Sequence, residues 1–121
     1  MTARLPLLLA AALLALTPAA APAHSLLLGA TPAADAVLAT SPPYVVLRFN
    51  NRIVQRLSRV RLVDERGAVA EAPTARRADD APESLVAAVP PLAPGAWRVE
   101  WQVFSTDGHV VNGSYRFRLA P

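Results

Sequence analysis

Cysteine is absent from all 121 residues, which excludes a disulfide framework and any thiolate ligation of metal. Lysine is absent too, so every basic side chain is Arg. The single methionine is Met1; beyond the first residue no thioether is available for a soft metal ion. Histidine occurs only at positions 24 and 109. Aromatic residues make up 6% of the chain, and no basic stripe with interleaved aromatics is present, so nucleic acid is not an expected partner. The Arg residues are spread over several segments and interrupted by acids, as in Arg76-Arg77 close to Asp79-Asp80, the pattern of a solvated mixed surface.

The N-terminus is built differently from the rest. Arg4 precedes an apolar run, Leu5 to Leu16, and a small-residue tract ends in Ala21-Pro22-Ala23. This has the form of a secretory leader with an A-x-A cleavage site. The run is short for a membrane-spanning helix, and no stop-transfer pattern follows it, so cleavage is expected rather than retention as an anchor. Residues 1–23 are therefore read as a signal peptide and residues 24–121 as one exported, soluble domain of 98 residues, large enough for a single core. Without Arg4, eleven Arg face nine acids, an excess of +2.

Twelve prolines and period-two patterning favour short strands over helices. Tyr44–Phe49 sets Val45, Leu47 and Phe49 on one face. Ser58–Val63 alternates Val60 and Leu62 with Arg59 and Arg61, and Asp64-Glu65-Arg66-Gly67 is a turn, so Val60–Val69 reads as a hairpin. Ser84–Val89 is a further apolar strand. Ala96–Phe104 places Trp97, Val99, Trp101 and Val103 on one side, and Ser114–Leu119 does the same with Tyr115, Phe117 and Leu119. Trp97, Trp101 and Tyr115 are all expected in the core, a corner hydrogen bond being the alternative for Tyr115. The stretch 70–82, rich in Ala, Pro and charge, is expected to be the least ordered. About seven short strands predict an all-β, Ig-like β-sandwich with Greek-key connections, a small β-barrel being the alternative.

Between the last two strands lies Ser105-Thr106-Asp107-Gly108-His109, the tip of a hairpin or a loop at one end of a sheet. His109 alone reads as a surface turn residue, and His24 alone as an accident of where a leader ends. Together they carry chemistry. Cleavage after Ala23 would make His24 the N-terminal residue, whose α-amine and ring Nδ1 can close a chelate ring on one metal ion. The amine and imidazole have reference pKa values of about 7.7–8.0 and about 6.5, so both deprotonate near neutrality at modest cost. His109 would add a third nitrogen and Asp107 an oxygen, a donor set that suits tetragonal Cu(II). In extended backbone Asp107 and His109 would point to the same side. Asp107 could equally orient the His109 ring through a hydrogen bond rather than bind metal.

His24-Ser25-Leu26, Thr31-Pro32-Ala33, Val46-Leu47-Arg48-Phe49 and Pro94-Gly95-Ala96-Trp97-Arg98-Val99, followed by the Asp107-Gly108-His109 block and Asn112-Gly113-Ser114-Tyr115-Arg116-Phe117, together resemble the CopC family of periplasmic copper-binding proteins. The resemblance covers nearly all of residues 24–121. It implies an Ig-like sandwich holding one Cu(II) per mature chain through the amine and imidazole of His24 with Asp107 and His109. It also implies an inner-membrane copper protein of the CopD type as a partner. Two departures narrow this. Where some members place an acid near the copper, this chain has Asn51, which supplies no charge. The Met-rich loop that binds Cu(I) in some members has no counterpart. The expected function is thus a monomeric, periplasmic, non-enzymatic Cu(II) protein for copper tolerance, storage or delivery. Two other readings stay open: a copper monooxygenase-like enzyme, disfavoured because a carboxylate ligand stabilises Cu(II) over Cu(I), and a metal-free secreted interaction module.

Overall fold

The computed structural model describes residues 25–76 and 80–121. Nine strands are present among them: β1 Leu27–Thr31, β2 Val37–Leu38, β3 Tyr44–Phe49, β4 Arg59–Asp64, β5 Val69–Ala72, β6 Thr74–Ala75, β7 Ser84–Ala88, β8 Gly95–Phe104 and β9 Val110–Leu119. They form two sheets, one ordered β1-β3-β7-β6 and the other β2-β9-β8-β4-β5. Neither closes on itself, so the architecture is a β-sandwich and the barrel alternative is set aside. The count exceeds the expected seven because β2 and β6 are two-residue strands with too little alternation to be seen. The described part of the stretch 70–82 also holds more structure than expected, since β5 and β6 fall within it or at its edge and pair with β4 and β7; residues 77–79 of that stretch lie outside the described residues.

Alternation sets the core. Val45, Leu47 and Phe49 of β3 and Leu85 and Ala87 of β7 face Val60 and Leu62 of β4, Val99, Trp101 and Val103 of β8, and Phe117 of β9, all buried. The β4–β5 hairpin is closed by Asp64, whose Oδ1 accepts from the backbone N–H groups of Arg66 and Ala68. Trp101 meets Phe49 edge-on at 6.4 Å between centroids and Tyr115 at 6.1 Å. Trp97 and Tyr115 are half-buried against the same core.

The structure begins β9 at Val110, four residues before the expected Ser114. Asn112-Gly113-Ser114 reads locally as a turn, but Gly113 lies in mid-strand opposite Trp101. The indole covers the space a side chain would occupy there, a role glycine takes inside strands where another group must approach closely.

Tyr115 packs rather than forming a corner hydrogen bond. Its hydroxyl is the one buried side-chain polar atom without a hydrogen-bond partner among the described residues, and burial pushes its pKa up. A buried orphan group is destabilising by about 1–3 kcal/mol, so deleting it should not hurt. Tyr115→Phe is expected to unfold in urea at the parent's midpoint or above it, with a gain of up to about 1 kcal/mol. A lowered midpoint would mean that the hydroxyl has a partner.

Register gathers Arg residues that the sequence spreads out. Arg59 and Arg61 of β4, Arg98 of β8 and Arg116 and Arg118 of β9 share the outer face of the larger sheet, with Arg98 directly opposite Arg116. On β8, Glu100 accepts from Arg61 through one oxygen and from Arg98 through the other. These two hydrogen bonds, Arg61 first, hold its carboxyl below the usual carboxylate range. With Glu71 opposite Arg61, this face carries five Arg and two acids, so the mixed surface expected from the sequence is locally cationic.

Candidate metal centre

The β8–β9 hairpin is the longest paired unit of the fold, ten residues on each side, and it carries the Asp-Gly-His loop at its tip. Ser105 closes the loop: its N–H donates to the His109 carbonyl at 2.8 Å and its carbonyl accepts from Gly108 N–H at 3.0 Å. Gly108 sits at φ +91°, a left-handed conformation that glycine adopts without strain. Asp107 and His109 are therefore not brought together by an extended backbone, as the sequence suggested, but by a tight turn.

Within that turn Asp107 grips His109 twice. Asp107 Oδ1 accepts from the His109 backbone N–H at 3.1 Å, and Oδ2 lies 3.0 Å from His109 Nδ1. The His109 ring, by its side-chain hydrogen bond and then its backbone N–H, holds the Asp107 carboxyl below the usual carboxylate range. Both side chains face solvent, His109 at 57% and Asp107 at 40% exposure. With Nδ1–H donating to the carboxylate, the lone pair of a neutral ring lies on Nε2, the arrangement in which a carboxylate orients a metal-binding imidazole.

His24 and the leader, residues 1–23, lie outside the described residues. Among the described residues no group of three or more His, Cys, Asp or Glu side chains could hold a metal; of the three residues expected as ligands, Asp107 and His109 are described and stand together. Ser25, the residue after His24, is at this loop. Its Oγ shares a 2.6 Å hydrogen bond with Ser105 Oγ, and both residues are buried, 1% and 4% exposed. Next along, Leu26 N–H donates to Asn50 Oδ1 at 2.8 Å, while Asn50 N–H donates to the Leu26 carbonyl at 3.0 Å. Asn51 donates to the same Asn50 oxygen at 3.3 Å. Reading the sequence did not single out Ser25, Ser105 or Asn50; no local pattern links residues 80 positions apart. The one available signal was adjacency, since Ser25 follows one histidine and Ser105 precedes the loop of the other.

The side chains described at this loop offer nitrogen and oxygen donors only. The chain is 30% identical over 98 residues to protein YobA of Escherichia coli K12, covering 80% of this chain and 79% of that one. It is 29% identical over 110 residues to copper resistance protein C of Pseudomonas syringae pv. tomato, covering 86% of each. The crystal structure of CopC from Methylosinus trichosporium OB3b superposes with a TM-score of 0.74 at 36% identity, covering 81% of this chain and 95% of that one. Residues 27–120, from the start of β1 to just past the end of β9, match the CopC domain, and with the sandwich fold and these relatives they establish that the chain belongs to the CopC family.

Proposed function

We propose that this chain is an exported Cu(II)-binding protein serving copper tolerance, storage or delivery in the periplasm, and that it binds one ion per chain without catalysing a reaction. In this reading cleavage after Ala23 frees the α-amine of His24. The amine and ring of His24 would chelate the ion, and His109 would complete the nitrogen set, with Asp107 beside it. One observation carries the reading: the Asp107 carboxylate engages His109 Nδ1 at 3.0 Å, which directs the other ring nitrogen toward a ligand. The placement of Ser25 against Ser105 supports it, because Ser25 is the residue bonded directly to His24 in the chain. The donor inventory supports Cu(II) over Cu(I), since no Cys and no Met beyond Met1 is present. An inner-membrane copper protein of the CopD type would be the exchange partner, and the protein would act as a monomer. No helix among the described residues is long and apolar enough to cross a membrane.

The test compares two forms of the chain. Protein beginning at His24 is expected to bind one equivalent of Cu(II) tightly in a titration against a competing chelator. Protein beginning at Met1, in which position 24 offers an amide nitrogen instead of an amine, should bind it much more weakly. Equal affinities in the two forms would overturn the chelate.

A further inference from the structure

Ser105 is joined to both sides of the proposed centre, and this gives it a part that its chemistry alone does not suggest. Its backbone shapes the Asp107–His109 loop through the bonds to His109 and Gly108, and it bridges to Ile53 on the other side. Its side chain meets Ser25. Loop and N-terminus are thereby referenced to one residue. We propose that the Ser25–Ser105 hydroxyl pair, backed by Asn50, is a clamp that positions the N-terminal ligand of the copper centre, Ser25, Ser105 and Asn50 being positioning residues that never touch the metal. The proposal rests on the copper reading above.

The physical case has three parts. Hydroxyls this deeply buried are unfavourable without a partner, so each serine holds the other in place. Main-chain and side-chain bonds from Asn50 fix Leu26 in both directions before β1 begins, so the two residues after position 24 are both tied down. A chelate from a chain terminus loses affinity if the terminus must be ordered at the moment of binding; ordering it beforehand removes that penalty. Groups that only orient a ligand typically change metal affinity by about 10–100-fold when removed, and that is the effect expected here.

The experiment uses protein beginning at His24 and measures three things: Cu(II) affinity by chelator competition, the Cu(II) electron paramagnetic resonance spectrum, and thermal unfolding without metal. Ser105→Ala leaves the Ser25 hydroxyl unpartnered, so it is expected to lower the unfolding temperature as well as the affinity. The double variant Ser25→Ala/Ser105→Ala removes both hydroxyls and should recover most of the stability, yet still bind Cu(II) about 10–100-fold more weakly, with a spectrum of mixed coordination. Asn50→Ala, at an exposed position, should weaken copper in the same way. A double variant with parental affinity and a single parental spectrum would overturn the clamp, provided His24→Ala abolishes tight binding. If His24→Ala binds like the parent, the copper reading fails and the clamp with it.

Discussion

Replacing His109 by Ala is expected to reduce the Cu(II) affinity of the chain beginning at His24 by more than a hundredfold. The reasoning is comparative. Partners that only orient a metal-binding imidazole are worth about 10–100-fold, and deleting the imidazole removes both a donor and the group that Asp107 orients. Because His109 is largely exposed on a loop tip, unfolding of the metal-free variant should stay close to the parent. Any loss of copper is then a loss of ligation. Asp107→Asn separates two roles for the carboxylate. Asn retains a side-chain carbonyl that can accept from Nδ1–H, so if Asp107 only orients the ring the affinity should fall by about tenfold. If the carboxylate is itself a ligand, the loss should approach that of His109→Ala. Acidity provides a further check with a definite sign. Since His109 holds the Asp107 carboxyl below the usual carboxylate range, the carboxylate is still ionised when acid begins to compete for the nitrogen donors. In a pH titration of the metal-free chain followed by NMR, the Asp107 carboxyl should protonate below the usual carboxylate range, and His109→Ala should raise that midpoint toward it.

Gly113→Ala is expected to be the most damaging single methyl addition in the sandwich. A Cβ built at this position would stand 2.2 Å from Cζ2 and 2.5 Å from Cε2 of Trp101, well inside van der Waals contact, and those are atoms of a rigid ring. The indole is itself wedged between Phe49 and Tyr115, so it cannot swing aside without opening the core. Overpacking of this kind typically costs about 1–3 kcal/mol, and with so rigid an obstacle the upper end is expected. For a domain of this size that corresponds to a fall of roughly 10–20 °C in Tm. Combining Gly113→Ala with Trp101→Leu tests the cause. If the clash is responsible, the pair should be clearly less destabilised than the two single changes summed, because neighbours that share a space are not additive. Strict additivity would place the damage elsewhere.

Both positions show where reading along the chain stops being informative. Alternation found β3, β4, β7 and β8 nearly to the residue because one face of each is buried and the other wet, and that contrast is written locally. It missed β2 and β6, which are too short to alternate, and β1, whose Leu27-Leu28-Gly29-Ala30-Thr31 shows no clear two-residue period; it reached only the first residue of β5 and lost the first four residues of β9. Asn112-Gly113-Ser114 has turn composition, yet Gly113 is there to make room for a tryptophan on the next strand. The Asp107–His109 pair was visible because its members are two residues apart. The means by which they meet was not: a left-handed Gly108 and a double hydrogen bond from one carboxylate replace the extended geometry that the spacing suggested.

What the sequence determined by itself is an inventory and a pattern. It contains two histidines, no cysteine and no methionine past Met1, so nitrogen and oxygen are the available donors, and its alternating runs commit it to stacked sheets. Composition and periodicity are properties of neighbours, and no fold can change them. The tertiary structure alone decided that Ser25 meets Ser105 across 80 residues and that five Arg converge on one sheet face. Both follow from strand register and from the packing of one sheet on the other, which join distant segments through contacts that leave no local trace in the chain.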